Sequence, residues 1–369
     1  MNAPSKAPAA SDRIPVAVLG ATGSVGQRFV QLLENHPWFR IHEVVASERS
    51  AGRSYADAAD WKLDTAIPGD VASLEFLPLD AELESTLVFS SLDSSVAGET
   101  EEIHAGRGCA VLSNSKNHRM DPDVPLLIPE VNCEHLDAIE VQRKRRGGNG
   151  YIVTNPNCST IGLALALAPI ERQHGIERVH AFTMQAISGA GYAGVTSWTI
   201  LDNVVPWISG EEEKVETEPR KILGRWNGGA FEDAPMVISA HTNRVPVIDG
   251  HTICVSVGLR NHSALRSSFS IEKILEDVRA AMDGFRGEPQ RLGLPSAPRR
   301  AIRVVDEPDR PQPRLDRDRE AGMAITVGRL RPDPLLDIRF VALVHNTIRG
   351  AAGAAILNAE LLKARDMLP

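Results

Sequence analysis

Ile14-Pro-Val-Ala-Val-Leu-Gly20-Ala-Thr-Gly23-Ser-Val-Gly26-Gln-Arg-Phe29-Val30 is the stretch that decides the fold. The apolar run from Ile14 to Leu19 is strand-length and reads as a buried strand. It ends at Gly20, with Gly23 and Gly26 following. Phe29, Val30, Leu32 and Leu33 then recur at helical spacing until Asn35-His36-Pro37 stops the helix. A second apolar strand, about Ile41 to Ala46, completes a β-α-β unit, and Leu87 to Ser90 and Ala110 to Ser113 have the same character. The expected class is α/β, with a Rossmann-type doubly wound parallel sheet.

Three glycines between a strand and a helix let the backbone turn tightly and let a pyrophosphate reach the helix N-terminus. Free N–H groups and the helix dipole stabilise negative charge there. Gly20, Thr22, Gly23, Ser24 and Val25 are the expected cofactor-binding residues of this loop, joined by Ser90 at the end of a neighbouring strand. After the second strand comes Ser47-Glu48-Arg49-Ser50. A guanidinium and two hydroxyls suit the 2′-phosphate of NADP, while an inward Glu48 would instead accept from the ribose hydroxyl of NAD.

The remaining bulk properties bound the rest. A chain of 369 residues suggests two domains. Its 43% hydrophobic and 24% charged composition is ordinary for a globular enzyme, and a formal net charge of −8 offers no footprint for nucleic acid or an anionic membrane. The run Arg143-Lys144-Arg145-Arg146 is expected to be a solvated loop. Cys109, Cys133, Cys158 and Cys254 form no C-x-x-C pair, so neither a zinc site nor a redox dithiol is expected. Residues 1–12 read as a disordered tail without a signal peptide, and no apolar run is long enough to span a bilayer. A cytoplasmic protein is expected.

Organisation changes near Asn155. A buried helix, Ile161 to Gln173, precedes long strand-like runs at Arg178 to Ile187, Thr252 to Gly258, Met323 to Arg329 and Leu336 to Val344. These imply a second, α+β domain with an antiparallel or mixed sheet. The expected division is 13–156 plus 346–369 for the cofactor domain and 157–345 for the second. The small-residue segment Arg349 to Leu362 is expected to pack back on the first domain, and Asp306 to Arg319 to form a surface loop or arm.

Asn155-Pro-Asn157-Cys158-Ser-Thr precedes the strongly apolar helix. Asn157 is a good N-cap, placing Cys158 in the first turn, where the dipole favours thiolate and lowers the thiol pKa. That is the setting of a nucleophile for a carbonyl carbon. The other three cysteines read as structural. In Arg244-Val-Pro-Val-Ile-Asp249-Gly250-His251, a turn leads into a strand. The arginine suits a carboxylate and the imidazole suits acid–base work. From spacing alone this pair reads equally well as structural.

These segments together resemble the aspartate-semialdehyde dehydrogenases, in the branch described as archaeal and fungal in type. The likeness runs from about Pro15 to Leu362. It also rests on Ser113-Asn-Ser-Lys-Asn-His-Arg119, Gln185-Ala-Ile-Ser-Gly-Ala-Gly191, Glu211-Glu-Glu-Lys214, His241-Thr-Asn-Arg244 and His345-Asn-Thr-Ile-Arg-Gly350. The resemblance implies Cys158 as nucleophile, His251 as acid–base catalyst and Gln185 as the residue orienting the intermediate. It implies Arg244 and Glu211 for the substrate's carboxylate and ammonium, and Lys214, Arg119, Asn114 and Lys116 for phosphate. Ser188, Gly189 and Asn346 would lie near the nicotinamide. It implies NADP as cofactor, inorganic phosphate as co-substrate, no metal, and a homodimer or homotetramer, and it assigns catalysis and dimerisation to the second domain. The reaction implied is reductive dephosphorylation of aspartyl-4-phosphate on the route to lysine, methionine, threonine and isoleucine. Read without the resemblance, Glu211 to Lys214 fits a solvated helix face. The rival readings are a malonyl-CoA or N-acetyl-glutamyl-phosphate reductase on the same scaffold, and a catalytically silent NADP-binding regulator.

Overall fold

The computed structural model describes residues 13–47, 50–192, 194–260 and 270–369. Six short strands, β1 (Ile14–Leu19), β2 (Phe39–Val45), β3 (Phe76–Leu77), β4 (Leu87–Ser90), β5 (Ala110–Ser113) and β6 (Tyr151–Thr154), form one sheet. Its order is β3-β2-β1-β4-β5-β6 and all pairings are parallel. β1, β4, β5 and β6 are almost wholly apolar because helices cover both faces. The order reverses beside β1, so the crevice at the carboxyl ends of β1 and β4 is where such sheets bind ligands.

The second sheet is mixed. β7 (Ile176–Gln185) is followed by a small hairpin, β8 (Arg225–Trp226) and β9 (Phe231–Glu232). Then come β10 (Val237–Arg244), β11 (His251–Leu259), β12 (Ile302–Val304), β13 (Ile325–Pro332) and β14 (Ile338–Val344). Its order is β10-β7-β11-β14-β13-β12, with parallel pairs at both edges and antiparallel pairs between. One face packs on the helix Cys158–His174, whose Ile161, Leu163, Leu165, Leu167 and Ile170 are buried in one core with Val179, Ile253, Val255 and Val344. At Gly162 the helix touches β14 so closely that an added Cβ would stand 2.9 Å from Val344. The helices Glu211–Ile222 and Ile271–Asp283 contribute to this core as well. The expected runs thus become β7, β11, β13 and β14.

The C-terminal helix Gly353–Ala364 returns to the first core, burying Ala355, Ile356 and Leu357 with Val16, Phe29 and Tyr151. Its approach is pinned by Arg349, whose guanidinium meets the Glu130 carboxylate at 3.0 and 2.6 Å, both side chains fully buried. One expectation needs correcting. Arg143 to Arg146 is the last turn of a helix, Ile139–Arg146, rather than a loop. Cationic side chains suit the negative end of the helix dipole, and Gly147 ends the helix in the left-handed region at φ +68°. Within Asp306 to Arg319, the buried Asp316 carboxylate holds Arg310 and Arg319, so this arm is internally pinned.

Candidate active site

β6 ends at Thr154 and delivers Asn155-Pro156-Asn157-Cys158 straight to the crevice. The Asn157 side chain accepts from the N–H groups of Ser159 and Thr160 at 2.9 and 3.3 Å, so it caps the helix as its sequence implies. Cys158 keeps an edge on a cleft of about 180 Å³. Ser24 and Val25 of the glycine loop line the same cleft, with Asn114, Arg119, Ser188, Gly189, Asn346 and Gly350.

His251, at the first position of β11, is buried. Its Nε2 lies 3.1 Å from Cys158 Sγ, and its Nδ1 accepts the Ala186 N–H at 3.0 Å. With Nδ1 accepting, the neutral ring carries its hydrogen on Nε2, facing the sulfur. Ala186 is held in turn by Arg244, which donates to its carbonyl at 2.7 Å. A Cβ at Gly189 would stand 2.7 Å from the Arg244 guanidinium and 3.1 Å from the His251 ring, so a side chain there would displace one of them. Burial, then Arg244, pushes the imidazole down to about 3, so it is neutral at pH 7.

The thiol departs from the expectation of a lowered pKa. Its sulfur sits among protein atoms, and that burial pushes it up to about 12, with the Glu211 carboxylate adding to the effect. Arg244, Arg119 and Lys214 pull the other way. The helix end is already answered by carboxylates. Asn157 Nδ2 donates to Glu211 at 2.8 Å and Asn157 N–H donates to Glu218 at 2.7 Å. Glu211 also receives Lys214 at 2.6 Å and Gln185 at 3.3 Å. Despite its burial, these donors hold the Glu211 carboxyl below its ordinary range. The helix Glu211–Ile222 is therefore no solvated face on this side, and Gln185 touches Glu211 and Thr183.

The remaining expected residues divide. Asn346 accepts the Gly250 N–H and donates to the Ser188 hydroxyl, each at 2.8 Å, tying the turn before His251 to the loop after Gln185. Asn114 accepts from Asn155 Nδ2 at 2.8 Å. Lys116 is exposed and lies outside the residues lining the cleft. Ser90 is fully buried: its hydroxyl meets Glu101 at 2.6 Å and its carbonyl accepts from Asn114 Nδ2 at 3.0 Å. The loop beside β1 fits a pyrophosphate. Gly20 has φ +73°, a Cβ at Gly26 would stand 2.2 Å from the Gly20 carbonyl, and among the described residues no side chain caps the helix Ser24–Leu33. Thr22 is held through its carbonyl by Gln27 at 3.1 Å. Ser47 and Ser50 follow β2, whereas Arg49 lies outside the described residues.

Sequence reading missed Asn157 as a ligand of Glu211, and missed Glu218 and Lys221. The signal was available. Glu211, Lys214, Glu218 and Lys221 recur at helical spacing, so they share one face with Val215 and Ile222. Among the described residues, no group of three or more His, Cys, Asp or Glu is placed to hold a metal, and no helix is long and apolar enough to cross a membrane.

Comparison with known proteins gives one consistent answer. Residues 15–139 match the family model described as semialdehyde dehydrogenase, NAD binding domain. Residues 167–349 match the one described as semialdehyde dehydrogenase, dimerisation domain. The chain is 52% identical to an aspartate-semialdehyde dehydrogenase of Methanothermobacter thermautotrophicus, covering 95% of this chain and 99% of that one. The crystal structure of the Candida albicans aspartate semialdehyde dehydrogenase with NADP superposes with a TM-score of 0.87 at 46% identity, covering 96% of this chain and all of that one. The Vibrio cholerae aspartate semialdehyde dehydrogenase II complexed with ASA gives 0.72 at 27% identity, covering 96% and 99%. The chain belongs to the aspartate-semialdehyde dehydrogenase family.

Proposed function

We propose that this chain carries out NADP-dependent reductive dephosphorylation of L-aspartyl-4-phosphate to L-aspartate 4-semialdehyde, and its reverse with inorganic phosphate. The observation that carries the reading is Cys158 Sγ at the start of a helix, 3.1 Å from His251 Nε2, in a cleft shared with the glycine loop. Cys158 attacks the acyl carbon, phosphate leaves with the thiol proton, and a thioester remains. NADPH, when bound, supplies the hydride. The Cys158 backbone N–H and His251 Nε2–H then face the developing alkoxide, and collapse returns the thiolate and the aldehyde. The thiolate takes up a proton before the next turnover, and His251, whose Nε2 stands 3.1 Å from the sulfur, is the acid–base partner that relays it.

Arg244 and Glu211 take the carboxylate and ammonium of the amino-acid end, and Gln185 orients the intermediate. An ammonium against Glu211 also offsets one of the causes that keep the proton on sulfur. Arg119, Lys214 and Asn114 receive the phosphate, and Lys116, exposed outside the cleft lining, is left out of it. The bare N-terminus of Ser24–Leu33 receives the pyrophosphate, with Gly20, Thr22, Gly23, Ser24 and Val25. Ser188, Gly189 and Asn346 serve the nicotinamide, and Ser47, Arg49 and Ser50 the 2′-phosphate. Residues 13–156 with 346–369 form the cofactor domain, and 157–345 the catalytic and dimerisation domain.

A homo-oligomer built on the second sheet fits its outer face, where Arg178, His180, Phe182, Val237, Ser239 and His241 are exposed in facing register. Trp198 and Trp207, 95% and 63% exposed, belong to the same domain. A homodimer or homotetramer buries them. The cytoplasm, where aspartate-derived lysine, methionine, threonine and isoleucine are made, fits as its place.

The test is a substrate panel. NADP reduction with aspartate semialdehyde should require phosphate, and coenzyme A or N-acetylated analogues should not substitute. Equal or better turnover with either replacement would assign the chain to one of those other reductases.

A further inference from the structure

We propose that Glu218 is a positioning residue, through which a single buried carboxylate sets both the phosphate-facing guanidinium of Arg119 and the residue that precedes the nucleophile. The proposal deepens the functional reading above and rests on it. Glu218 Oε1 accepts from Arg119 Nη1 at 2.9 Å, and Oε2 accepts from the Asn157 N–H at 2.7 Å. Glu218 is 2% exposed and Arg119 7% exposed.

Arg119 is built to meet something else. Its Nη2 donates to the Asn114 carbonyl at 2.8 Å, while its Nε is buried and, among the described residues, has no partner. The residue lines the cleft with Cys158 and Asn157. A guanidinium that lines the cleft beside the nucleophile suits an incoming oxyanion. One turn beyond Glu218, Lys221 Nζ donates to the carbonyls of Arg119, Asp121 and Val124 at 2.8 to 2.9 Å. The same helix face thus holds Arg119 by its side chain and by its backbone. A buried ion pair adds little net stability, so a role in setting geometry accounts for it better than a role in holding the fold together.

Glu218→Gln keeps an acceptor for Asn157 N–H but turns an amide toward Arg119. In the oxidative direction, at saturating NADP and aspartate semialdehyde, the KM for inorganic phosphate should rise about tenfold, the loss of one charge-assisted contact. The KM for the aldehyde and the Kd for NADP should stay within about twofold. In the Arg119→Gln background, Glu218→Gln should add no further loss, since it acts through that guanidinium. The double variant replaces the ion pair by two amides, so it leaves no unpaired buried charge if the single variant folds poorly. An unchanged phosphate KM in Glu218→Gln, a parallel rise for all three ligands, or additive effects of the two substitutions would each overturn the proposal. If Arg119→Gln itself leaves the phosphate KM unchanged, the assignment of the phosphate pocket fails, and with it the role given to Glu218.

Discussion

Gly350 lies directly against Cys158: a Cβ at Gly350 would stand 2.8 Å from the Cys158 Cβ and 3.1 Å from its Cα. The segment leading into the C-terminal helix therefore fixes the start of the helix Cys158–His174 by contact. Gly350→Ala should displace that start by several tenths of an ångström. Because the reacting atoms must be aligned closely, kcat should fall at least about tenfold, with NADP affinity within about twofold. Stopped-flow and fluorescence titration measure the two, and an unchanged kcat would mean that the contact is not felt at the sulfur.

Cys158→Ser should remove turnover while leaving NADP binding intact, because the hydroxyl is a far weaker nucleophile and the glycine loop is untouched. Iodoacetamide should label Cys158 slowly in the free protein, since its thiol is held protonated, and faster once an amino-acid ligand occupies Glu211. Labelling that ligand slows at every concentration would contradict that account of activation.

Arg244 and His251 are joined through Ala186, so their variants should fail differently. Arg244→Lys keeps the charge and loses the fork, so the KM for the aldehyde should rise. A smaller loss in kcat should follow as Ala186 loses its brace. His251→Ala should lower kcat by about 10² to 10⁴-fold, with KM little changed. Parallel KM effects in both would require another residue for the proton.

Much of this was legible in the sequence, and the reasons are local. The glycine loop, the N-capped Cys158 and the Asp249-Gly250 turn before His251 each depend on residues within a few positions, so their types and spacing specify them. Helix Glu211–Ile222 was read incompletely because burial of a charged face depends on what packs against it. The carbonyls of Arg119, Asp121 and Val124 that receive Lys221 lie about a hundred residues away in sequence. The thiol was misread for the same reason. The dipole of one helix is local, but the burial that raises the thiol, and the Glu211 carboxylate that adds to it, come from other elements.

His135, His251 and His345 are buried and held down to about 4, 3 and 4, burial being the first cause for each. Unfolded histidine titrates near 6.5. Below that pH the unfolded chain binds protons that the folded chain does not, so stability is lost as pH falls from about 6.5 toward about 4. Each histidine contributes about 1.4 kcal/mol per pH unit. Urea unfolding at pH 7 and pH 5 should show this fall, and non-titrating His135→Gln should make the slope shallower. A slope unchanged by His135→Gln would remove that residue from the account.

Arg49→Ala should weaken NADP much more than NAD if, as proposed, its guanidinium pairs with the 2′-phosphate that NAD lacks. Calorimetry with both cofactors measures it, and equal losses would show that Arg49 does not read that phosphate.

The central claim, a covalent thioester on Cys158, is tested most directly by omitting phosphate. Incubated with NADP and aspartate semialdehyde alone, the protein should release about one equivalent of NADPH per active site and then stall. Intact and peptide mass spectrometry should find an aspartyl adduct on Cys158, discharged on addition of phosphate. Steady NADPH production without phosphate, or a burst with the adduct on Cys109, Cys133 or Cys254, would contradict the account.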